Sequence, residues 1–554
     1  MRRVLLLLLV IFIMTPLASA IQIVEFCPDT YLPRDADAYL VLEGTGPLGN
    51  VTISDGEGSI TFPTGSHIDG RVTVADEAVG YVTTHDALPD YEVKETSPAV
   101  PDMVKTGRYS PANEKDELVL SVNGHVVQTV GWPGDLRPRE GQVHFLTGSA
   151  WDSRILLLGQ SRFLPESFAN ATVTAFVSPD SSFGVLDQAI SGARQEILVN
   201  AYELTHPGIG DLLIAARHRG VSVIVLLEGG PVGGISPDEE AICAALNRSG
   251  IPLFRMTTTA VAHARYRYDH AKYLVIDGSG LFISTENFGI HGYPPPGSSG
   301  NRGWGAFIED PGVAGYFKEV FSADMHGGDV IPYTPPAREM TPPSPHAYQV
   351  MFPSLRVTNA TVTPILAPDT SGGIIPLLAR ANQRIEIEQA SIRNTSGDEL
   401  DPFLSAAVNA SRRGVAVRVL LDGSRYNDEG PADNNEMADL VNSLARSEDL
   451  PLSARILDPG SANLEAIHTK GAVVDGRLVL ISSINWNGNS PNFNREAGVI
   501  LEDPSLGNYF SSVFEADWNR AGQGGGTGGP DLLKLAVAGL VIVILVLFFI
   551  RRRR

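Results

Sequence analysis

Cysteine is nearly missing from this chain: Cys27 and Cys243 are the two present in 554 residues. That excludes a disulfide framework, although one bridge between them stays open, and it leaves no cysteine cluster to hold a metal. No H-E-x-x-H run is found either. Lysine is almost as scarce, at seven residues. Negative charge dominates, with 63 Asp and Glu against 42 Lys and Arg and a formal net charge of −21. So acidic a chain argues against non-specific binding to nucleic acid or anionic lipid unless a local basic site overrides it. No stripe of interleaved aromatic and basic residues supplies such a site for nucleic acid. A solvated, salt-tolerant exterior accounts for the charge equally well.

What is there suits a folded, loop-rich protein: 43% apolar residues, with 56 Gly and 38 Pro. The length exceeds one core, so two or three domains are expected. The first 20 residues combine Arg2 and Arg3, an apolar run from Val4 to Met14 and the exit Ala18-Ser19-Ala20. That is the grammar of a secretory signal, and the run is short for a permanent membrane anchor. The other end reads as a Gly-rich spacer over 521–531, an apolar stretch over 532–550 broken by Lys534, and four arginines at 551–554. Nineteen mostly apolar residues span a bilayer, and the arginines favour keeping that end in the cytoplasm. The expectation is a single-pass type I protein of the cell membrane, held by a C-terminal transmembrane helix, with its bulk outside. The two terminal segments carry six net positive charges, so the part between them stands at −27. Six N-x-[ST] sequons, at Asn50, Asn170, Asn247, Asn359, Asn394 and Asn409, are open to glycans in an exported chain.

Residues 21–145 read as short alternating strands between turn clusters, as in Ala38-Tyr39-Leu40-Val41-Leu42 and Leu118-Val119-Leu120-Ser121-Val122. Such spacing without helical periodicity predicts an immunoglobulin-like β-sandwich. The runs Ile21–Glu25, Asp35–Leu42, Phe62-Pro63-Thr64-Gly65 and Asp116–Val127 together resemble a lamin-tail domain. From 172 the pattern becomes alternating strand and helix, and it occurs twice. Val173–Asp180 is echoed by Val362–Asp369, the Ala215–Gly220 helix end by Asn409–Gly414, and Gly315–Asp324 by Gly507–Asp517. The α/β region is therefore an internal duplication, 172–330 and 351–520, joined by a Pro-rich linker over 331–350.

Each half carries one H-x-K-x4-D run followed by a small hydroxylic pair and an Asn. The first is His270, Lys272, Asp277, Ser284, Thr285 and Asn287; the second is His468, Lys470, Asp475, Ser482, Ser483 and Asn485. Every member is offset by 198 residues, and two of the chain's seven lysines fall at this one relative position. One such run arises by chance in roughly one chain in a hundred of this composition, and two in register far less often. Strand alternation puts His and Lys of H-x-K on one face, where both can meet a phosphate. Lys supplies a point charge, and Asn with a Ser or Thr hydroxyl can donate to the charge that grows in the transition state. Two histidines on opposite sides of one phosphorus permit an in-line displacement, one as nucleophile and the other as acid and base, with no metal or other cofactor.

On these motifs the chain resembles the phospholipase D superfamily over 172–520. The resemblance implies a duplicated α/β fold with one shared site in which His270 and His468 form the catalytic pair. Lys272, Lys470, Asn287 and Asn485 would grip the phosphate together with Ser284 and Ser482, and Asp277 and Asp475 would complete the catalytic motifs in a supporting role beside the histidines. The nucleophile in that family is often the first histidine, here His270, although the pseudo-symmetry leaves the order open. Glu496, in Asn494-Arg495-Glu496, matches the family and could orient a histidine; the first half has Asn301-Arg302-Gly303, so the half-sites are not equivalent. His263 and His291 read as loop residues. Glu203 and Glu388 either line the mouth of the site or cap strands.

The implied activity is hydrolysis or transfer of a phosphodiester through a phosphohistidine, with a phospholipid favoured as the partner because export and a tether put the site near lipid. An extracellular nuclease on the same fold is the rival within enzymes. A non-catalytic surface adhesin is the rival outside them, and two intact motifs weigh against it.

Overall fold

In the computed structural model, residues 21–132, 139–152, 154–260, 262–339, 346–394, 399–424 and 433–523 are described. The signal segment, the 532–550 span, the arginine tail and the spacer beyond 523 lie outside them. Among the described residues no helix is long and apolar enough to cross a membrane. Two compact units form. One holds the described residues up to Gln160 with Thr258–Arg265 and Gly327–Asp329; the other holds Ser161–Thr257, Tyr266–His326 and the described residues from Val330 on.

The first unit is two sheets. Gln22–Cys27, Tyr39–Pro47 and His67–Glu77 sit at the centre of one, and Val51–Ser54, Gly58–Thr61 and Asp116–Val122 at the centre of the other. Inward residues of both, among them Phe26, Leu40, Leu42, Ile53, Ile60, Leu120 and Trp132, share one apolar cluster. The unit runs past 145: Leu156–Leu157 pairs with Gln142–Thr147, and Leu156 and Leu158 are buried. It also contains a helix, Ala78–His85. Its β-branched and Gly-containing sequence gives it no helical signature, and Gly80 is needed because a Cβ there would stand 2.4 Å from the Ala36 carbonyl oxygen. Cys27, in this unit, and Cys243, in the other, are both buried free thiols.

The second unit carries one 15-stranded sheet whose two ends mirror each other. In the first half the order runs Leu253–Met256, Ser222–Glu228, Glu196–Ala201, Lys272–Ile276, Gly280–Ser284, Gly303–Glu309 and Phe168–Ser178. In the second it runs Leu452–Leu457, Ala416–Asp422, Arg384–Gln389, Lys470–Val474, Leu478–Ser482, Glu496–Glu502 and Leu355–Ala367. Phe168–Ser178 and Leu355–Ala367 pair antiparallel and join the halves. Val330–Pro332, where the Pro-rich segment starts, adds an edge strand beside Leu253–Met256. Each H-x-K strand is buried at all five positions because both faces are covered, which is why it reads as a continuous apolar run after its lysine. One apolar cluster lies between the halves and includes Tyr273, Val275, Trp304, Val473, Ile481 and Val499. A further cluster backs each half.

Two buried arginines bind the halves to each other. Arg302 donates to Asp180 of its own half at 2.8 Å and to Asp517, on the last helix of the other half, at 2.6 Å. Arg495 does the converse, donating to Asp369 at 2.9 Å and to Asp324, on the last helix of the first half, at 2.8 Å. All six side chains are almost completely withdrawn from solvent. Removing one partner of such a group leaves a buried charge uncompensated, at a cost of about 3–5 kcal/mol. Arg302→Ala and Arg495→Ala should each lower the urea midpoint of this unit by a corresponding amount. Arg412→Ala, which breaks an exposed pair with Glu448, should leave the midpoint nearly unchanged.

Candidate active site

Each H-x-K motif begins just before its strand and is held by the opposite half. The His270 amide donates to the Arg495 carbonyl and the His468 amide to the Arg302 carbonyl, both at 2.8 Å. A carboxylate at the end of the next strand but one in the sheet fixes the preceding residue: Glu228 accepts from the Asp269 amide at 2.5 Å, and Asp422 from the Ile467 amide at 2.7 Å. The ammonium groups of Lys272 and Lys470 turn back onto the carbonyls of His270 (2.5 Å) and His468 (2.8 Å). The two motifs form one electrostatic site, since Lys470 acts on His270 and Lys272 on His468.

Both imidazoles meet a carboxylate through Nδ1. Glu496 lies 2.8 Å from His270 Nδ1 and is itself held by Ser490 Oγ and by Asn494 Nδ2 at 2.9 Å. Glu286 lies 3.3 Å from His468 Nδ1 and accepts from Asn301 Nδ2 at 3.0 Å. A carboxylate at Nδ1 keeps the proton there and leaves Nε2 with its lone pair toward a substrate. Burial, reinforced by Lys272 and opposed by Glu496, pushes His270 down to about 4; burial and Lys470 also push His468 down. Burial likewise lowers Lys272 to about 8 and Lys470 to about 7. Glu286 and Glu496 go the other way: burial would raise them, but the facing histidines and lysines hold them below the usual carboxylate range.

The site is not symmetric. The Tyr202 ring stands edge-on to His270 at 4.6 Å and beneath Lys272 Nζ at 5.1 Å. His270 retains 13% side-chain exposure and His468 27%. Asn287 donates to Glu203 at 2.9 Å, beside Lys272, so Glu203 belongs to the mouth. Glu388 does not: it is fully buried and accepts from Thr469 Oγ1 at 2.8 Å. Asn485 is part-exposed, and its amide donates to Ser490 Oγ.

Four residues expected at the site stand elsewhere or do other work. Asp277 and Asp475 sit past the far ends of their strands. Asp277 accepts from the amides of Arg194, Gln195 and Glu196, and Asp475 from those of Asn382, Gln383 and Arg384. Ser284 is buried and accepts from the Glu286 amide; Ser482 is buried, donates to the Lys470 carbonyl and accepts from the Ile484 amide. These hydroxyls are engaged by the turn after the strand, as are Thr285 and Ser483 by the strand beside it. Glu286 was not singled out from the sequence, although an acidic residue inside Ser284-Thr285-Glu286-Asn287, opposite a half that lacks its Glu at 303, was the available signal. His263 stacks on Tyr31 in the first unit.

The family model described as cardiolipin synthase, PLD-like domain matches residues 186–325 and 374–518, one copy in each half and together just over half of the chain. Cardiolipin synthase A of Pseudomonas aeruginosa is 22% identical over 371 residues, 64% of this chain and 68% of that protein. Mitochondrial cardiolipin hydrolase of Chlamydomonas reinhardtii is 24% identical over 152 residues; the match spans 27% of this chain and 59% of the hydrolase. Among solved structures, phosphatidylserine synthase of Haemophilus influenzae is 14% identical with a TM-score of 0.45, covering 63% of this chain and 88% of that one. Nuc of Salmonella typhimurium, a phospholipase D family member, is 24% identical with a TM-score of 0.25, covering 29% and 98%.

The placement of Asp475 makes a prediction about stability. Burial disfavours its carboxylate, but three backbone N–H donors outweigh that and lower its pKa. A depressed folded value means the stabilisation is present above the unfolded carboxylate range, near pH 4, and is lost as pH falls through the folded value. Asp475→Ala should cost about 1–2 kcal/mol at pH 7. Urea midpoints of variant and parent should converge as the pH is taken well below 4.

Proposed function

The chain belongs to the PLD-like family of the cardiolipin synthase type, and on that premise we propose that it hydrolyses or transfers phosphodiesters through a phosphohistidine, with phospholipid as substrate. The observation that carries this is the pair of histidines, each with Nδ1 facing a buried carboxylate, at 2.8 Å for His270 and 3.3 Å for His468, and each accompanied by its own lysine. His270 is the nucleophile in this reading: it is the more buried, its contact to Glu496 is the shorter, and burial, lowering it to about 4, keeps it neutral near pH 7. Its Nε2 attacks phosphorus while His468, protonated, gives Nε2–H to the leaving oxygen as the P–O bond breaks. His468 then takes a proton from water or an alcohol, whose oxygen displaces His270 as the P–N bond breaks. Lys272 and Lys470 neutralise the non-bridging oxygens, with Asn287 and Asn485 beside them. Glu203, at the mouth, offers an acceptor to hydroxyl or ammonium groups of a head group.

The relatives named for cardiolipin synthesis and hydrolysis support a phospholipid over a nucleic acid, and the acidic chain repels a polyanion more than a single phosphodiester. The signal-like start and the 532–550 stretch support a membrane-tethered protein with this unit outside, and the N-terminal β unit is read as a lamin-tail-like module.

Two tests follow. The full chain should cleave a phospholipid in the presence of a chelator, and a short primary alcohol should divert product into the transphosphatidylated ester. His270→Ala and His468→Ala should each lose at least about 10³-fold in kcat, with the double variant hardly worse, as residues acting as a unit do. Half activity in either single variant would mean two independent sites, and preference for single-stranded DNA or RNA would assign a nuclease. The pH profile of kcat/KM should fall on the acid side as His270 protonates near 4. On the alkaline side it should fall first as His468 loses the proton the leaving oxygen needs, and further as Lys470 and Lys272 lose their charge near 7 and 8. A flat profile between 5 and 9 would remove the lysines from phosphate binding.

A further inference from the structure

We infer that Glu286 is the positioning residue of His468, carrying from a different strand the duty that Glu496 performs for His270. The inference rests on the reading above for what His468 does, and on geometry for the pairing.

Positions 303 and 496 are structurally equivalent. Each follows the buried arginine, opens its strand, and pairs with the residue before a cis proline: Gly303 with Ser178, Glu496 with Ala367. In the second half that position carries the histidine's carboxylate. In the first it must be Gly, because a Cβ on Gly303 would lie 2.3 Å from Glu286 Oε1 and 2.5 Å from Glu286 Cγ. The reciprocal position behaves the same way. Glu286 corresponds, at the 198-residue offset, to Ile484, which is buried in the apolar core of the second half. Each half thus supplies one carboxylate, at one of two addresses that exclude each other.

The receiving partners match as well. Asn301 and Asn494, at the same step before the arginine, each donate Nδ2 to the carboxylate of their own half, at 3.0 and 2.9 Å. Each carboxylate then reaches the histidine of the other half. A buried carboxylate is costly unless it is used, and Glu286 Oε1 faces His468 with no hydrogen bond to any other group. The looser contact, 3.3 Å against 2.8 Å, falls on the more exposed imidazole, the one that must exchange protons with incoming and leaving groups.

The probe is bis(p-nitrophenyl) phosphate, whose leaving group departs without a proton. Glu286→Gln should release about one equivalent of nitrophenolate in a burst and then turn over about 10–100-fold more slowly than the parent, because formation of the phosphoenzyme needs no acid and its breakdown needs His468 as base. Glu496→Gln should show no burst. Moving the carboxylate by Glu286→Ile with Gly303→Glu should recover turnover to within about tenfold, whereas Glu286→Ile alone stays low. Gly303 is outside the left-handed region, so the backbone accepts the new side chain. Independently of turnover, the pH midpoint for carbethoxylation of His468, followed by peptide mass spectrometry, should fall by about one pH unit or more in Glu286→Gln, while that of His270 stays put. An unchanged midpoint and unchanged turnover in folded Glu286→Gln would overturn the inference. A parent inactive on every phosphodiester, with the midpoint shift present, would overturn the proposed activity and leave the pairing standing.

Discussion

The site exists because two guanidinium groups are buried between the halves. Taking Arg302 and Arg495 out of water is expensive, and only a complete set of partners offsets it. Those partners are divided between the halves by construction: an Asp after the cis proline of one, an Asp on the last helix of the other. The carbonyl of each arginine then takes the amide of the opposing histidine. Neither H-x-K motif can reach its final place before the other half has docked. The same two residues that close the core also hold the backbone of both histidines, so a single constraint serves folding and chemistry.

Duplication alone would give two identical half-sites, yet an in-line displacement needs one nucleophile and one proton carrier. The differences lie in what surrounds the motifs. Tyr202 covers His270 where Ala390 stands in the second half, and the carboxylates come from unlike positions. The result is one imidazole that is buried, tightly bonded and neutral, and another that is more open and more loosely held. Those are the properties the two roles require.

Much of this was legible in the sequence because it repeats along the chain. The offset of 198 residues exposed both motifs, and the echoed Gly315–Asp324 and Gly507–Asp517 segments exposed the duplication. The function of the echo was hidden: nothing in the sequence shows that Asp324 and Asp517 each meet the other half's arginine, which the fold alone brings about. Glu286 escaped for a related reason. Comparing equivalent positions finds what both halves share, whereas the loss at 303 is made good from the next strand, a relation that exists only in space. Ser284, Ser482, Asp277 and Asp475 mark the opposite failure. They recur as faithfully as the histidines, but a recurring turn is conserved between halves by its backbone geometry as strongly as a site by its chemistry. The helix Ala78–His85 had no periodic signature, since tertiary contact at Gly80 and not propensity places it.

The scarcity of lysine acquires a physical sense at the site. With Lys470 and Lys272 lowered to about 7 and 8, the empty site carries less positive charge than its formal count near neutrality. Two carboxylates held below their usual range face two neutral imidazoles. A phosphodiester brings one negative charge into this setting and favours the protonated form of every base it touches. Binding should therefore draw protons in, completing the lysine charges and supplying the imidazolium at His468 that the leaving oxygen needs. On this account the substrate charges the acid, and a site built from strongly desolvated groups avoids holding a cluster of cations in an acidic protein when nothing is bound.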